Sequence, residues 1–288
     1  MEVPKGLPDI IFQIGSSLYG VQNADGSFDA ARYQKIVRFC RMTEVKLAQG
    51  AKQTGGKLLA SKVNDDIAYY RRVQAHQDII SPNRFPYAET EAELFDFIEE
   101  LQRLSGKPVG FKIVLSDREG FEVYAKELKK RKDSGRGLPE FITIDGGDGG
   151  SVTAPLEMMS RIGLPIREAL LIANEVLSKY GLREEIKLIA AEKVLTADDV
   201  VELLCYGADF INIARGFMIS AGYIRARQCS GAGGRNCPVG LATMNEAKRN
   251  KFLVLEKSRH IANYHDALIQ SIRSLLAVMG KKVFSNSP

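Results

Sequence analysis

The stretch Phe141-Ile-Thr-Ile-Asp145, followed by Gly146, Gly147, Asp148, Gly149 and Gly150, constrains this chain more than any other. An apolar, β-favouring run that stops abruptly in Asp and Gly predicts a buried parallel strand opening into a tight loop. The glycines let the backbone take positive φ and come close to a ligand. Asp145 and Asp148 then stand at the carboxyl end of the strand, where α/β barrels keep their chemistry. The other reading of the same residues is an acidic, glycine-rich surface turn.

The rest of the chain repeats this pattern. Strands are predicted over 9–14, 42–47, 109–115, 141–145, 186–190 and 210–214. Helices are predicted over 27–38, 65–73, 90–104, 120–131, 165–180, 197–206, 222–228 and 257–279. Thr90 with Glu93 forms a capping-box pattern, Thr196 caps another helix, and Gly181 and Gly207 end two more. Residues 76–86 read as irregular, and 229–243 as a glycine-rich loop. Alternation of strand and helix argues a parallel sheet. Six strands, each ending in Gly, Asp or Lys, give an α/β fold of TIM (β/α)8 type, incomplete by two βα units. A doubly wound sheet competes, but Gly15-Ser-Ser-Leu-Tyr-Gly20 is not the G-x-G-x-x-G turn expected after its first strand. We expect one domain over 1–280 and a tail over 281–288.

Composition narrows the classes. Of 288 residues, 45% are hydrophobic, which supports a sizeable core. The net charge of +5 is mild, and the densest basic group, Lys129 to Lys132, reads as a solvated face at a helix C-terminus. There is no Trp and no basic stripe interleaved with aromatics, so nucleic acid is not an expected partner. No run approaches a membrane span, and residues 1–8 resemble neither a signal nor a transit peptide. Four scattered cysteines, Cys40, Cys205, Cys229 and Cys237, suit a reducing cytoplasm, with Cys205 buried on a helix. No histidine falls in a hydrolase or metal spacing.

Three lysines, Lys46, Lys52 and Lys112, lie at or near strand ends. Lys112 sits between Phe111 and Ile113, so strand alternation points it into a barrel interior. A charge there needs an anionic ligand or an ion pair, for which Asp145 is the neighbouring-strand candidate. Asn212-Ile-Ala-Arg215-Gly216 ends the last strand and opens a helix, a modest signal for an anion site. Cys229 and Cys237 flank seven residues and read as ordinary loop thiols.

Taken together and in order, several segments resemble the FMN-binding glutamate synthase family. They are Ile14-Gly15, Val45-Lys-Leu-Ala-Gln49-Gly-Ala-Lys52, Gln77-Asp-Ile-Ile-Ser-Pro82, Gly106-Lys-Pro-Val-Gly-Phe-Lys112, Asp145 to Gly150, Ala154-Pro-Leu-Glu157, Gly163-Leu-Pro165, Ala214-Arg-Gly216 and Cys237-Pro-Val-Gly-Leu-Ala-Thr243. The resemblance implies a TIM barrel that binds FMN and a 3Fe–4S cluster. It also implies reductive amination of 2-oxoglutarate to glutamate, by hydride transfer from reduced FMN to 2-iminoglutarate. On it, Lys112, Gln49 and Lys52 are the catalytic candidates. Lys46, Asp145, Gly146, Gly147, Gly149, Gly150, Lys193, Ala214, Arg215 and Gly216 surround the cofactor.

The departures from that pattern are specific. Two leading βα units are absent, and the loop after Lys52 is shortened. Val152 stands in place of a loop glycine, and Glu192 sets a carboxylate where a phosphate would approach an amide. Tyr223 replaces the first cluster cysteine, leaving Cys229 and Cys237 as remnants, so the cluster is expected to be lost and no metal bound. The open edges predict a homo-oligomer or a complementing N-terminal chain, beside a small-molecule substrate. The competing reading is a degenerate, non-catalytic barrel fragment that binds a partner chain or a small anion.

Overall fold

The computed structural model describes residues 9–47, 55–147, 158, 162–226, 228–229 and 236–281. Six parallel strands form the frame: β1 (Ile11–Ile14), β2 (Met42–Lys46), β5 (Val109–Ile113), β6 (Phe141–Asp145), β7 (Lys187–Ala191) and β8 (Phe210–Asn212). They are ordered β1-β2-β5-β6-β7-β8, and every pairing is parallel. Strands therefore follow one another across the sheet with no reversal. A doubly wound sheet requires a reversal, where its ligand crevice opens. The observed order is that of a barrel, and the architecture is an incomplete TIM-type half-barrel.

Helices α1 (Ala30–Val37), α3 (Glu91–Ser105), α4 (Arg118–Asp133), α5 (Ile166–Lys179) and α6 (Ala197–Cys205) supply the outer layer. All but α5, which starts after Pro165, have starts fixed by side chains that satisfy free N–H groups. Asp29 accepts from the Arg32 amide at 2.9 Å, Thr90 from the Glu93 amide at 3.2 Å, and Asp117 from the Gly120 amide at 2.7 Å. Thr196 and Asp199 cap reciprocally at the start of α6. The core lies between these helices and one face of the sheet, contributed by Ile14, Val45, Phe111, Ile142, Ile144, Leu188 and Ala190.

The alternate strand residues face the other way and lie outside that core. At the two ends of the sheet this inner face is open: Phe210 on β8 is 61% exposed and Ile11 on β1 41%. Glycine has a packing reason at Gly110, in the middle of β5. A β-carbon there would collide with the carbonyl and ring of Phe141.

Several elements differ from the sequence reading. Within the span read as irregular, Ile79–Ser81 (β4) pairs antiparallel with Gly56–Leu58 (β3). Three-residue strands carry too little alternation to be seen. With α2 (Asp65–Arg71), this insertion packs a small core of Val63, Ala68 and Ile79. Residues 222–226 are not helical. The helix lies earlier, at Arg215–Ser220 (α7), and short α8 (Glu246–Arg249) precedes the long α9 (Val254–Val278). Cys205 is exposed rather than buried, because it is the last residue of α6.

The basic run near the end of α4 is not wholly solvated. Arg131 is 1% exposed. Successive helical residues are turned by about 100°, so a run of four must place one inward. Its guanidinium donates to Asp96 at 2.5 Å, to Glu99 at 2.7 Å and to the Phe95 and Gly137 carbonyls. Arg136 joins the same two carboxylates. Burial works to raise the Asp96 and Glu99 carboxyls, but the two arginines outweigh it and hold both below the ordinary range. Native values below the unfolded ones give stability that is complete above the unfolded values and lost as pH falls through the native ones. Unfolding free energy is therefore expected to hold from neutrality to about pH 5 and then decline. Arg131→Ala, measured by urea unfolding at neutral pH, should lower it by about 3 kcal/mol, since it leaves a cavity and two carboxylates short of a partner.

Candidate functional site

The register of the strands decides which charged side chains meet. Lys46 on β2 lies opposite Lys112 on β5, and Lys112 opposite Thr143 on β6. Asp145 is two residues beyond Thr143 and so shares its face. Lys46, Lys112 and Asp145 therefore stand on the inner face, at the carboxyl ends of three adjacent strands. The Lys112 ammonium is 3.5 Å from an Asp145 carboxylate oxygen, with side chains 16% and 8% exposed. Of the two options for Lys112 read from the sequence, the ion pair with Asp145 is the one the structure shows.

One layer below is a residue that the sequence reading passed over. Glu44 is 5% exposed on the same face as Lys46. Its carboxylate accepts from Gln13 Nε2 on β1 and from Thr143 Oγ1 on β6, each at 2.5 Å. To reach β6 it must pass over β5, and it does so beside Gly110, its register partner, which has no side chain. The signal was available: an acid two residues before Lys46 in the same strand has to share its face. This floor ties β1, β2 and β6 together beneath the lysines.

The loops above the strand ends are stitched to one another. The Gly146 amide donates to the Ala191 carbonyl at 3.0 Å, Gly147 to Leu164 at 2.8 Å, and Leu164 to Leu115 at 2.7 Å. Gly147 needs its missing β-carbon here, because one would run into the backbone of Gly163. After β7, Glu192 has a φ of 111° and Lys193 a φ of 56°. The first value belongs to glycine territory and costs a residue with a side chain about 1–3 kcal/mol. The Glu192 carboxylate lies 3.5 Å from the guanidinium of Arg215, the first residue of α7. Lys193 is exposed and so is Ala214. Gly216 is buried against α9: a β-carbon would strike the hydroxyl of Tyr264, which donates to the Leu195 carbonyl at 2.7 Å.

The insertion of β3, α2 and β4 leans on the same end of the sheet. Ser16, in the loop after β1, donates to the Pro82 carbonyl at 2.6 Å, and the Tyr19 hydroxyl meets Ser81 at 3.2 Å. Between them, the Ser17 hydroxyl is buried and has no hydrogen-bond partner among the described residues. Lys62 donates to the carbonyl of Cys229. Cys237 is buried. Burial would raise its thiol, but the amides of Ala242, Val239, Leu241 and Gly240 bring it below the ordinary thiol range. Gln49, Lys52, Asp148, Gly149, Gly150 and Val152 lie outside the described residues.

The chemistry of these residues suits one half of an FMN molecule better than the other. Lys46 and Lys112, side by side on one face at the strand ends, would supply positive charge to an electron-rich ring. A phosphate at the loop after β7 would meet the Glu192 carboxylate, which already lies 3.5 Å from Arg215.

Comparison with known proteins follows the same lines. The family model described as "Conserved region in glutamate synthase" matches residues 2–282. "Glutamate synthase large subunit-like protein YerD" of Bacillus subtilis is 40% identical over 278 residues, covering 96% of this chain and 52% of that protein. "Ferredoxin-dependent glutamate synthase 2" of Synechocystis sp. is 30% identical over 274 residues, covering 91% and 17%. "Ferredoxin-dependent glutamate synthase, chloroplastic" of Oryza sativa subsp. japonica is 29% identical over 274 residues, covering 91% and 16%. The chain thus spans about half of the first relative and about a sixth of the other two. Among the described residues no helix is long and apolar enough to cross a membrane.

The floor of the site generates its own prediction. Thr143→Val keeps the shape of the buried side chain and removes the donor to Glu44. We expect a loss of about 1.5–3 kcal/mol in urea unfolding, the range for a hydrogen bond to a charged group. A change under about 0.5 kcal/mol would mean that Glu44 is not held from β6.

Proposed function

Because the chain belongs to the glutamate synthase family, whose conserved region it spans, we propose that it is a glutamate synthase-like, flavin-dependent oxidoreductase module. The reaction on this reading is reductive amination of 2-oxoglutarate to glutamate. The observation that carries it is the convergence of Lys46, Lys112 and Asp145 on one face at the strand ends. In this role Lys112 supplies positive charge to an electron-rich ring or a substrate carboxylate, and Asp145 keeps the ammonium in place when the hollow is empty. Glu44 and Thr143 hold the strands that carry them in register. Gln49 and Lys52 are proposed to complete the substrate side, and Gly146, Gly147, Gly149 and Gly150 the loop that closes on the cofactor. A reducing, cytoplasmic setting suits this chemistry.

The exposed inner residues Phe210 and Ile11 support a further part of the reading. Two more βα units, from the same polypeptide or another chain, would cover β1 and β8 and close the ring. The second reading, a non-catalytic barrel that binds a small anion or a partner, is favoured by one observation: Glu192 and Arg215 already neutralise each other at the loops.

Titration with riboflavin and, separately, with FMN, followed by visible absorption and fluorescence quenching, tests the proposal. Saturable binding is expected, weakened at least about tenfold by Lys112→Ala, equivalent to about 1.4 kcal/mol. Binding unaltered by that change would remove Lys112 from the ring site. A chain that binds no flavin would leave the second reading.

A further inference from the structure

In eight-stranded α/β barrels, phosphate groups are commonly held by the loops after the last two strands. Here those strands are β7 and β8, and their loops begin with Glu192 and lead to Arg215. Two features of this corner belong together. The backbone at Glu192 has a φ of 111°, a conformation that glycine adopts readily and a side chain resists. The side chain placed there is a carboxylate, 18% exposed, and it lies 3.5 Å from the guanidinium of Arg215, itself 25% exposed. The residue thus carries a negative charge from the loop after β7 to the arginine after β8, bridging the two loops as a phosphate would.

We propose that Glu192 is an internal anion that takes the phosphate position of this mouth, so that the mouth selects ligands without a phosphate at that end. An incoming phosphate would have to displace the carboxylate from Arg215 and then remain beside it, with two like charges in a partly dehydrated corner. A neutral hydroxyl-bearing chain meets no such conflict and can donate to the carboxylate. For a flavin, this means the free ribityl form in place of the 5′-phosphate. The inference rests on reading the strand ends as the ligand mouth. It deepens that reading by naming Glu192 as the residue that sets specificity.

The full-length chain provides the test, with inorganic phosphate as the first probe. Thermal unfolding is measured in phosphate and in chloride at matched ionic strength, for the parent, Glu192→Gly and Glu192→Gln. The parent should show no phosphate-specific stabilisation. Glu192→Gly, which suits the φ value and frees the arginine, should gain one, and Glu192→Gln should follow it in part. A parent stabilised by phosphate as much as Glu192→Gly, or a Glu192→Gly variant that gains nothing, overturns the inference. Flavin titration is the second arm. The parent should bind riboflavin at least as tightly as FMN, and Glu192→Gly should shift the ratio toward FMN by about tenfold or more. The phosphate arm decides the role of Glu192 even if no flavin binds, whereas binding of either flavin decides the flavin reading, so the two can fail separately.

Discussion

Everything in this molecule depends on a strand order that never reverses. Six parallel strands laid down in sequence order send their helices to one face, and that face carries the main apolar core. The opposite face cannot be packed against helices. It must either close on itself as a barrel interior or face a hollow. Polar groups on it are tolerated only if they neutralise one another or meet a ligand. The chain uses the first means low on the strands, with Gln13, Glu44 and Thr143, and leaves charged groups at the top. The layering from hydrogen-bonded floor to charged mouth is thus a consequence of topology and the two-residue period of a strand.

Much of this was legible in the chain itself. The bounds of β6 could be read directly, because a strand buried on both faces is a continuous apolar run with sharp ends. The inward direction of Lys112 followed from its apolar neighbours. Glu44 was overlooked although the same alternation applied to it, since a lone acid in a short strand carries no motif. Arg131 was misread because a run of four basic residues suggests solvent, whereas a helix must turn one of them toward α3. The antiparallel pair β3 and β4 left no periodic trace. That Arg215 could offset Glu192 was legible because both flank one phosphate position of the family pattern; that the two pair directly was not, since the pair joins two loops whose separation is set only once the sheet is assembled.

The loops show how a framework of this kind holds a site in place. Backbone hydrogen bonds run from the end of β6 to the end of β7, and through Gly147 and Leu164 to the end of β5. The glycine at 147 is needed for that close approach, and the one at 216 for the seat of Tyr264. Both are therefore explained by packing within the chain. The residue that departs from packing logic is Glu192, which keeps an unfavourable backbone to deliver a charge. A local conflict of that kind is where function is expected to leave its mark.

The charged groups at the strand ends act as one coupled unit on a single face. A double-mutant cycle between Lys112→Met and Asp145→Asn, read out as unfolding free energy, tests it most directly. Two partners 3.5 Å apart and largely shielded from water should show a coupling of at least about 1 kcal/mol. Effects that simply add, within about 0.5 kcal/mol, would place the two side chains in separate surroundings and contradict the account.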